Sequence, residues 1–322
     1  MQSLLTFGLD VTPIQIIHYA SVHYTSQHKQ YWKRFLNAYL EIGETLTSHQ
    51  WPGNNSMILN SVGNSERMAD TSEIIASGLS TMLMCKWFDV AANRIVEIPN
   101  MGARKRCDFE LISEGKRIIY ESKGRSHQKN LSTAVSDGKS KKLNCTASEA
   151  YVIACFLPRN GQATNISIYD PESESLDLPQ DYTLYIILNY YKNCAWLSGL
   201  SLLAHALDER IKEYYSTGKL SRQPLRLSEK VTKVAEEITI QNQQFIRGKF
   251  GMSPFSYEDA ALCSELEFSL SKDVVKMLSD MDLASLLSFS STPYTSPASN
   301  VNMIETGSFL HLNVDNRVTV YL

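Results

Sequence analysis

Two carboxylates and a lysine in the middle of the chain have the types and spacing to do chemistry. Asp108 lies in Asp108-Phe109-Glu110-Leu111, and Glu121 and Lys123 lie in Ile118-Ile119-Tyr120-Glu121-Ser122-Lys123-Gly124. Both runs are otherwise apolar and read as strands. Strand side chains alternate faces, so Glu121 and Lys123 point one way and Ser122 the other. Ser113-Glu114-Gly115-Lys116 between the runs reads as a hairpin connection. A hairpin brings Asp108 beside Glu121 and Lys123, so two carboxylates and an ammonium converge at one end of a sheet. Mg²⁺ takes oxygen ligands in octahedral geometry, commonly one or two carboxylates plus a substrate phosphate. Such an ion polarises a phosphoryl oxygen and lowers the pKa of a bound water. A lysine nearby can orient that water or stabilise charge developing on the phosphate. The competing reading is an edge hairpin with one solvated face. Against it, the stretch Arg117–Gly124 puts charge into a segment otherwise suited to burial, where an isolated charge is costly.

The elements that must position these residues follow from periodicity. Residues 14–46 read as helical, with Tyr31, Trp32, Phe35, Leu36, Tyr39 and Leu40 in i, i+3, i+4 steps. Residues 50–65 are rich in Pro, Gly, Asn and Ser and read as a loop. A second helix is expected over 66–88, then strands at Arg94–Ile98, Cys107–Ile112 and Arg117–Lys123. A polar, basic and partly helical segment runs through Leu143, followed by a strand at Ala150–Leu157 and an edge strand at Ile166–Tyr169. This order of helix, three strands, helix and strand predicts an α/β fold, a central mixed sheet flanked by helices. The expected domains are an N-terminal helical region over 1–65, a core over 66–175 and a C-terminal α+β domain over 176–322. The acidic stretch Asp170–Asp181, with Pro171 and Pro179, marks the second boundary. In the C-terminal part a long helix is expected over 182–215, strands within 231–250, and a helix over 272–288. A Ser/Pro-rich linker or exposed loop is expected at Ser288–Asn300, and a hairpin over Ser308–Leu322 around Asp315-Asn316.

The central pattern resembles the PD-(D/E)XK nuclease superfamily, the restriction-endonuclease-like fold. In that family a helix bearing Glu precedes a strand bearing Asp and a strand bearing (D/E)-x-K. Here Glu73 lies in the expected helix, followed by Asp108 and then Glu121-Ser122-Lys123. Cys107 stands where the family name has Pro. The resemblance covers roughly residues 66–157 and implies a metal-dependent nuclease. Asp108 and Glu121 would hold Mg²⁺, for which Mn²⁺ can substitute. Lys123 would serve the attacking water, and Glu73 would add a metal contact, direct or through water.

Charge is distributed in a way that bears on substrate. The chain of 322 residues has a formal net charge of −3, so the whole protein does not announce a nucleic-acid binder. Between Met101 and Leu143, however, eleven basic residues stand against five acidic ones. Phosphate backbones attract such patches without regard to sequence. Arg104, Lys105, Arg106, Arg125 and Lys129 are the candidate nucleic-acid contacts, with His127 and Gln128 beside them. Glu110, two residues past Asp108 on the same strand face, is a further candidate to assist a metal or to face solvent.

Other chemistries find no support. The six cysteines form no CxxC pair, which argues against a structural zinc site. Scattered single cysteines fit a reducing compartment. His18, His23 and His28 recur every five residues, about 500° on a helix, so they share no face. No GxSxG elbow is present, and Arg247-Gly248-Lys249 lacks the flanks of a phosphate loop. The apolar stretch Tyr182–Leu207 contains Asn189, Lys192, Asn193 and His205 and reads as a buried helix rather than a membrane span. With no basic n-region and apolar run at the start, a cytoplasmic location is expected.

The function expected is a Mg²⁺-dependent endonuclease acting on DNA, with RNA as the other polymer open to it. The resemblance places such an enzyme in restriction or antiphage defence, as a homodimer or beside a partner defence protein, and with no membrane role. The alternatives are a non-catalytic nucleic-acid-binding module on the same fold, and an interaction protein whose charges merely pair.

Overall fold

The computed structural model describes residues 9, 11–23, 35, 38, 42, 65–99, 106–142, 145–158, 164–169, 178–179, 181–225, 227, 235–248 and 266–312. Two units divide the chain, Met1–Tyr24 with Arg34–Ile186 and Thr25–Lys33 with Ile187–Leu322. The division falls at Ile186, later than the boundary expected at 175. The start of the helix there belongs to the first unit, where the Tyr182 hydroxyl donates to Glu110 at 2.8 Å. Most of the acidic stretch 170–181 lies outside the described residues.

The first unit opens with α1 (Pro13–His23). Its start is a capping box: Thr12 N–H donates to Gln15 Oε1 at 2.8 Å, Gln15 N–H donates back to Thr12 Oγ1 at 3.4 Å, and Pro13 takes the first helical position. Of the stripe expected within 14–46, Phe35 is helical and buried, as are Ala38 and Ile42 beside it in sequence. Tyr31, Trp32, Leu36, Tyr39 and Leu40 lie outside the described residues, as does the loop expected over 50–65 apart from Ser65. Then come α2 (Ser65–Phe88), β1 (Ile95–Glu97), β2 (Phe109–Ser113), β3 (Lys116–Arg125), α3 (Gln128–Lys142), β4 (Glu149–Phe156) and β5 (Asn165–Tyr169). The strands form a mixed sheet in the order β1-β2-β3-β4-β5. Only the β3–β4 pair is parallel, because α3 carries the chain back across the sheet between them.

The β2–β3 hairpin closes through Glu114 (φ 50°) and Gly115 (φ 75°). Two left-handed residues in a two-residue loop match the strand twist. The turn sets Phe109 opposite Tyr120, whose rings stack with centroids 5.2 Å apart. Alternation then divides β3 between two helices. Tyr120, Ser122 and Gly124 face α2: Tyr120 OH and Thr81 Oγ1 are 2.9 Å apart, and Ser122 Oγ and Ser80 Oγ are 3.0 Å apart. A Cβ built on Gly124 would overlap the Ser72 carbonyl oxygen, so only glycine permits this approach. Ile119, Glu121 and Lys123 face the other way. Ile119 packs with Ile98, Cys107, Ala147 and Ala150, and α3 is anchored above through Leu131 and Val135 on Ala154.

The second unit contains most of α4 (Tyr182–Leu197), then α5 (Ser201–Thr217), β6 (Ala235–Ile240), β7 (Gln243–Gly248), β8 (Leu266–Ser271), α6 (Lys272–Asp280), α7 (Leu283–Ser288), β9 (Tyr294–Ser296), β10 (Val301–Met303) and β11 (Ser308–Leu312). The single helix expected over 182–215 breaks at Gly199 (φ 70°), and the one expected over 272–288 breaks at Met281 (φ 54°). An antiparallel sheet runs in the order β6-β7-β8-β11-β10-β9. Residues 288–300, expected as linker or loop, contain β9, which pairs with β10. The expected terminal hairpin is corrected in its first half. β11 pairs with β8 and β10, and 313–322 lie outside the described residues. Phe245, Met303 and Phe309 form one core cluster, and the Tyr190 hydroxyl meets Thr306 Oγ1 at 2.6 Å in the interior. No helix among the described residues is long and apolar enough to cross a membrane.

The helix–strand contact at Gly124 gives a direct test. Gly124→Ala is expected to lower unfolding free energy by about 3 kcal/mol or more, since a backbone carbonyl must move. Gly115→Ala, in open space at positive φ, costs only about 1 kcal/mol. Urea unfolding of both variants checks this, and equal losses would refute the packing argument.

Candidate active site

Glu121 sits in the middle of β3 with its side chain 0% exposed. Its Oε1 is 2.5 Å from Lys123 Nζ and 2.5 Å from Lys141 Nζ. Its Oε2 is buried without a hydrogen-bond partner. Asp108 precedes β2 and is one-third exposed. Its Oδ2 accepts the Ser122 N–H at 3.0 Å, and its Oδ1 lies 3.7 Å from Lys141 Nζ. The β2–β3 register therefore brings Asp108, Glu121 and Lys123 together. Asp137 on α3 stands 3.8 Å from Lys123 Nζ. Gly138 lets α3 come down on the strand: a Cβ there would sit 2.9 Å from Val152 Cγ1 and 3.3 Å from Glu121 Cγ.

The electrostatics follow from burial. Glu121 is pushed up from an ordinary value near 4.5 to about 7, first by loss of water and then by the Asp108 charge, which together outweigh the two lysines. The Lys141 ammonium is held above its usual range. Burial opposes its charge, but the Glu121 hydrogen bond and the Asp108 charge prevail.

Glu73 is 57% exposed on α2, and its Oε1 is 3.9 Å from Arg125, so its described ion pair is with the end of β3 rather than with the two carboxylates. Arg125 also donates to the Gly124 carbonyl at 2.6 Å. Arg106 lies 3.9 Å from Glu97 and donates to its neighbour's carbonyl at 3.4 Å. Arg104 and Lys105 lie outside the described residues. Lys129, His127 and Gln128 are exposed at the start of α3. Glu110 is committed to structure: its Oε2 accepts from Arg117 at 2.6 Å and from Tyr182 at 2.8 Å. His18 and His23 are buried, and His23 is bound by the carbonyls of Tyr19 and Ala92.

Sequence reasoning missed Lys141 as a site residue. It stands twenty positions beyond Glu121, and only the fold of α3 over β3 brings it back. A signal existed in Asp137-Gly138, a helical glycine flanked by charge, which marks a close approach. Also missed was the thiol pair beside Asp108. Cys145 Sγ accepts the Cys107 N–H at 3.4 Å. Hydrogen bonding from the Cys107 thiol and backbone, with Arg117 and Arg106 nearby, lowers Cys145 to about 6 against the burial that opposes it. Cys107 is correspondingly pushed up.

No family model, curated protein or solved structure matches the chain. Among the described residues, no group of three or more His, Cys, Asp and Glu side chains is placed to hold a metal. The carboxylates of Asp108 and Glu121, with the Lys123 and Lys141 ammonium groups against them, are the available donor set.

Two outcomes are expected. A carboxyl raised above its ordinary value gives stability that is full below about pH 4.5 and lost as pH rises through about 7. In metal-free buffer the melting temperature of Glu121→Gln, relative to wild type, is therefore expected to climb between about pH 5 and about pH 8. A flat difference would contradict it. Cys145 is expected to alkylate with half-maximal rate near pH 6, ahead of Cys155 and Cys194, which burial pushes up to about 12. Peptide mapping of iodoacetamide-treated protein that found Cys155 or Cys194 labelled first would refute the assignment.

Proposed function

We propose that the first unit is a metal-dependent nuclease that hydrolyses the phosphodiester bonds of DNA. The observation that carries the reading is a fully buried carboxylate, Glu121, beside Asp108 and Lys123, with one oxygen lacking any hydrogen-bond partner. Buried carboxylate oxygens are rarely left so, because desolvation is costly. A divalent cation would satisfy that oxygen. The donor chemistry fits Mg²⁺, or Mn²⁺ in its place: all oxygen, few protein ligands, the rest left to water and phosphate. The succession of α2, three antiparallel strands, α3 and a parallel β4, with the carboxylates on β3 and just before β2, supports the likeness to the PD-(D/E)XK nucleases.

Asp108 and Glu121 would hold the cation. When bound it supplies Lewis-acid polarisation of the scissile phosphate and activation of water. The chain's own residues do the rest. Ser122 N–H fixes the Asp108 carboxylate through Oδ2 and leaves Oδ1 turned to the site. Lys123, aimed between Glu121 and Asp137, positions the attacking water and stabilises charge on the phosphate. Exposed Lys129 at the start of α3 contacts the phosphate backbone. Glu73, paired with Arg125 at the end of β3, is left out of the metal set.

One observation favours the alternative of a non-catalytic module on the same fold: two ammonium groups already stand on Glu121 Oε1. One assay decides between the readings. Purified protein is incubated with plasmid, linear DNA and RNA in Mg²⁺, Mn²⁺ or EDTA. Metal-dependent cleavage is expected, falling by about 100-fold or more in both Asp108→Ala and Lys123→Ala. Cleavage surviving both substitutions would overturn the site. Absence of cleavage of every polymer would favour the binding module. A restriction or antiphage role, alone as a homodimer or with a partner protein, follows only if DNA is cut.

A further inference from the structure

Lys141 occupies a position that the proposed chemistry does not use. Its Nζ lies 2.5 Å from Glu121 Oε1 and 3.7 Å from Asp108 Oδ1. It is the described group that touches both carboxylates at once, and its side chain is only 18% exposed. Lys123 differs: it also touches Glu121 Oε1, but its second carboxylate is Asp137, outside the pair. Among the described residues, the charge shared between Asp108 and Glu121 therefore belongs to Lys141. Glu121 Oε1 already carries two ammonium groups, so a divalent cation drawing on Asp108 and the other Glu121 oxygen adds further positive charge beside Lys141 and repels it.

The setting also leaves Lys141 a way to move. It sits in the last turn of α3, one turn beyond Asp137, on a long flexible stem. The glycine that brings α3 onto Glu121 lies three residues earlier and fixes the helix, not the ammonium. Lys123 lies within the sheet, two residues from Glu121 on the same strand, and has Asp137 to keep it in place.

We infer that Lys141 is a built-in counter-cation that reserves the metal position. It neutralises Asp108 and Glu121 in the metal-free protein and leaves Glu121 when a divalent cation is held there, so it raises the concentration of cation the site requires. Once displaced, its ammonium is free to meet a substrate phosphate. This inference rests on the metal-site reading above, and its test separates the two.

The experiment is calorimetric titration of Mn²⁺ and Mg²⁺, without nucleic acid, into wild type, Lys141→Gln and Asp108→Asn. The inference expects Lys141→Gln to bind more tightly, by about tenfold or more, because a competing charge is gone. Asp108→Asn is expected to lose binding. Wild-type binding that depends on Asp108 but is equal or weaker in Lys141→Gln would overturn the inference and leave the metal site standing. No binding by either protein, or binding indifferent to Asp108→Asn, would overturn the metal site and the inference with it. A second measurement needs no variant. Wild-type protein is acetylated with an N-hydroxysuccinimide ester with and without Mg²⁺, and each lysine is quantified by mass spectrometry. Lys141 labelling is expected to rise several-fold with Mg²⁺ while exposed Lys129 stays constant. Unchanged or reduced Lys141 labelling would refute displacement.

Discussion

A carboxylate withdrawn from water loses several kcal/mol of hydration that partners must restore. At Glu121 the restoration is partial, with two ammonium groups on one oxygen and none on the other. Much of the first unit is arranged around that fact. The strand carrying Glu121 lies in the middle of the sheet, between β2 and β4. The hairpin turn sets the register that places Asp108 beside it, and the same turn stacks Phe109 on Tyr120 behind the site. A slip of one residue would turn Glu121 toward α2 and Tyr120 toward α3. The register is thus enforced by both faces at once, one through charge and one through aromatic packing.

Glycine decides how closely the two helices can serve this strand. Gly124 admits the backbone of α2 at Ser72, and Gly138 admits the β4 side chain Val152 and the Glu121 stem beneath α3. A glycine inside a helix costs about 1 kcal/mol relative to alanine. The cost at Gly138 is offset by bringing Asp137 and Lys141 down to the level of Lys123 and Glu121. The functional consequence is a site whose charges come from three elements brought close by backbone approach, with the Lys123 and Lys141 ammonium groups reaching the carboxylates on their own stems.

The sequence made the strand elements of the first unit legible because their apolar runs are short, alternating and bounded by turn residues. Asp108, Glu121 and Lys123 were legible together because a hairpin of known length fixes which residues face each other. Lys141 was not, since its approach depends on the path of a helix over the sheet, and residue spacing does not give that path. Glu110 was ambiguous for the opposite reason. Alternation placed it correctly beside the site face, but only tertiary structure supplied Arg117 and Tyr182 as its partners. In the second unit the breaks at Gly199 and Met281 were hidden within continuous helical periodicity. The strand at Tyr294–Ser296 was hidden in composition typical of a loop, because a three-residue strand between Pro293 and Pro297 is specified by its neighbour β10 and not by its own sequence.

The local excess of basic residues carries a different lesson. Arg106 stands with Glu97, Lys116 with Glu149, Arg117 with Glu110, Arg125 with Glu73, and Lys123 and Lys141 with the site carboxylates. Lys139 lies over the ring of Tyr169, 5.1 Å from its centroid. Most of the patch that looked like a phosphate track is therefore engaged within the first unit itself. Exposed pairs such as Lys116–Glu149 contribute little and can exchange for phosphate, because surface ion pairs are weak. The buried pair Arg117–Glu110 cannot, because breaking it strands a charge. On the proposed nuclease reading, attraction for a nucleic acid would come from the exposed positions at the start of α3 and from pairs that can open. The charge count of a segment measures its capacity to bind phosphate only after the ion pairs within the fold have been subtracted.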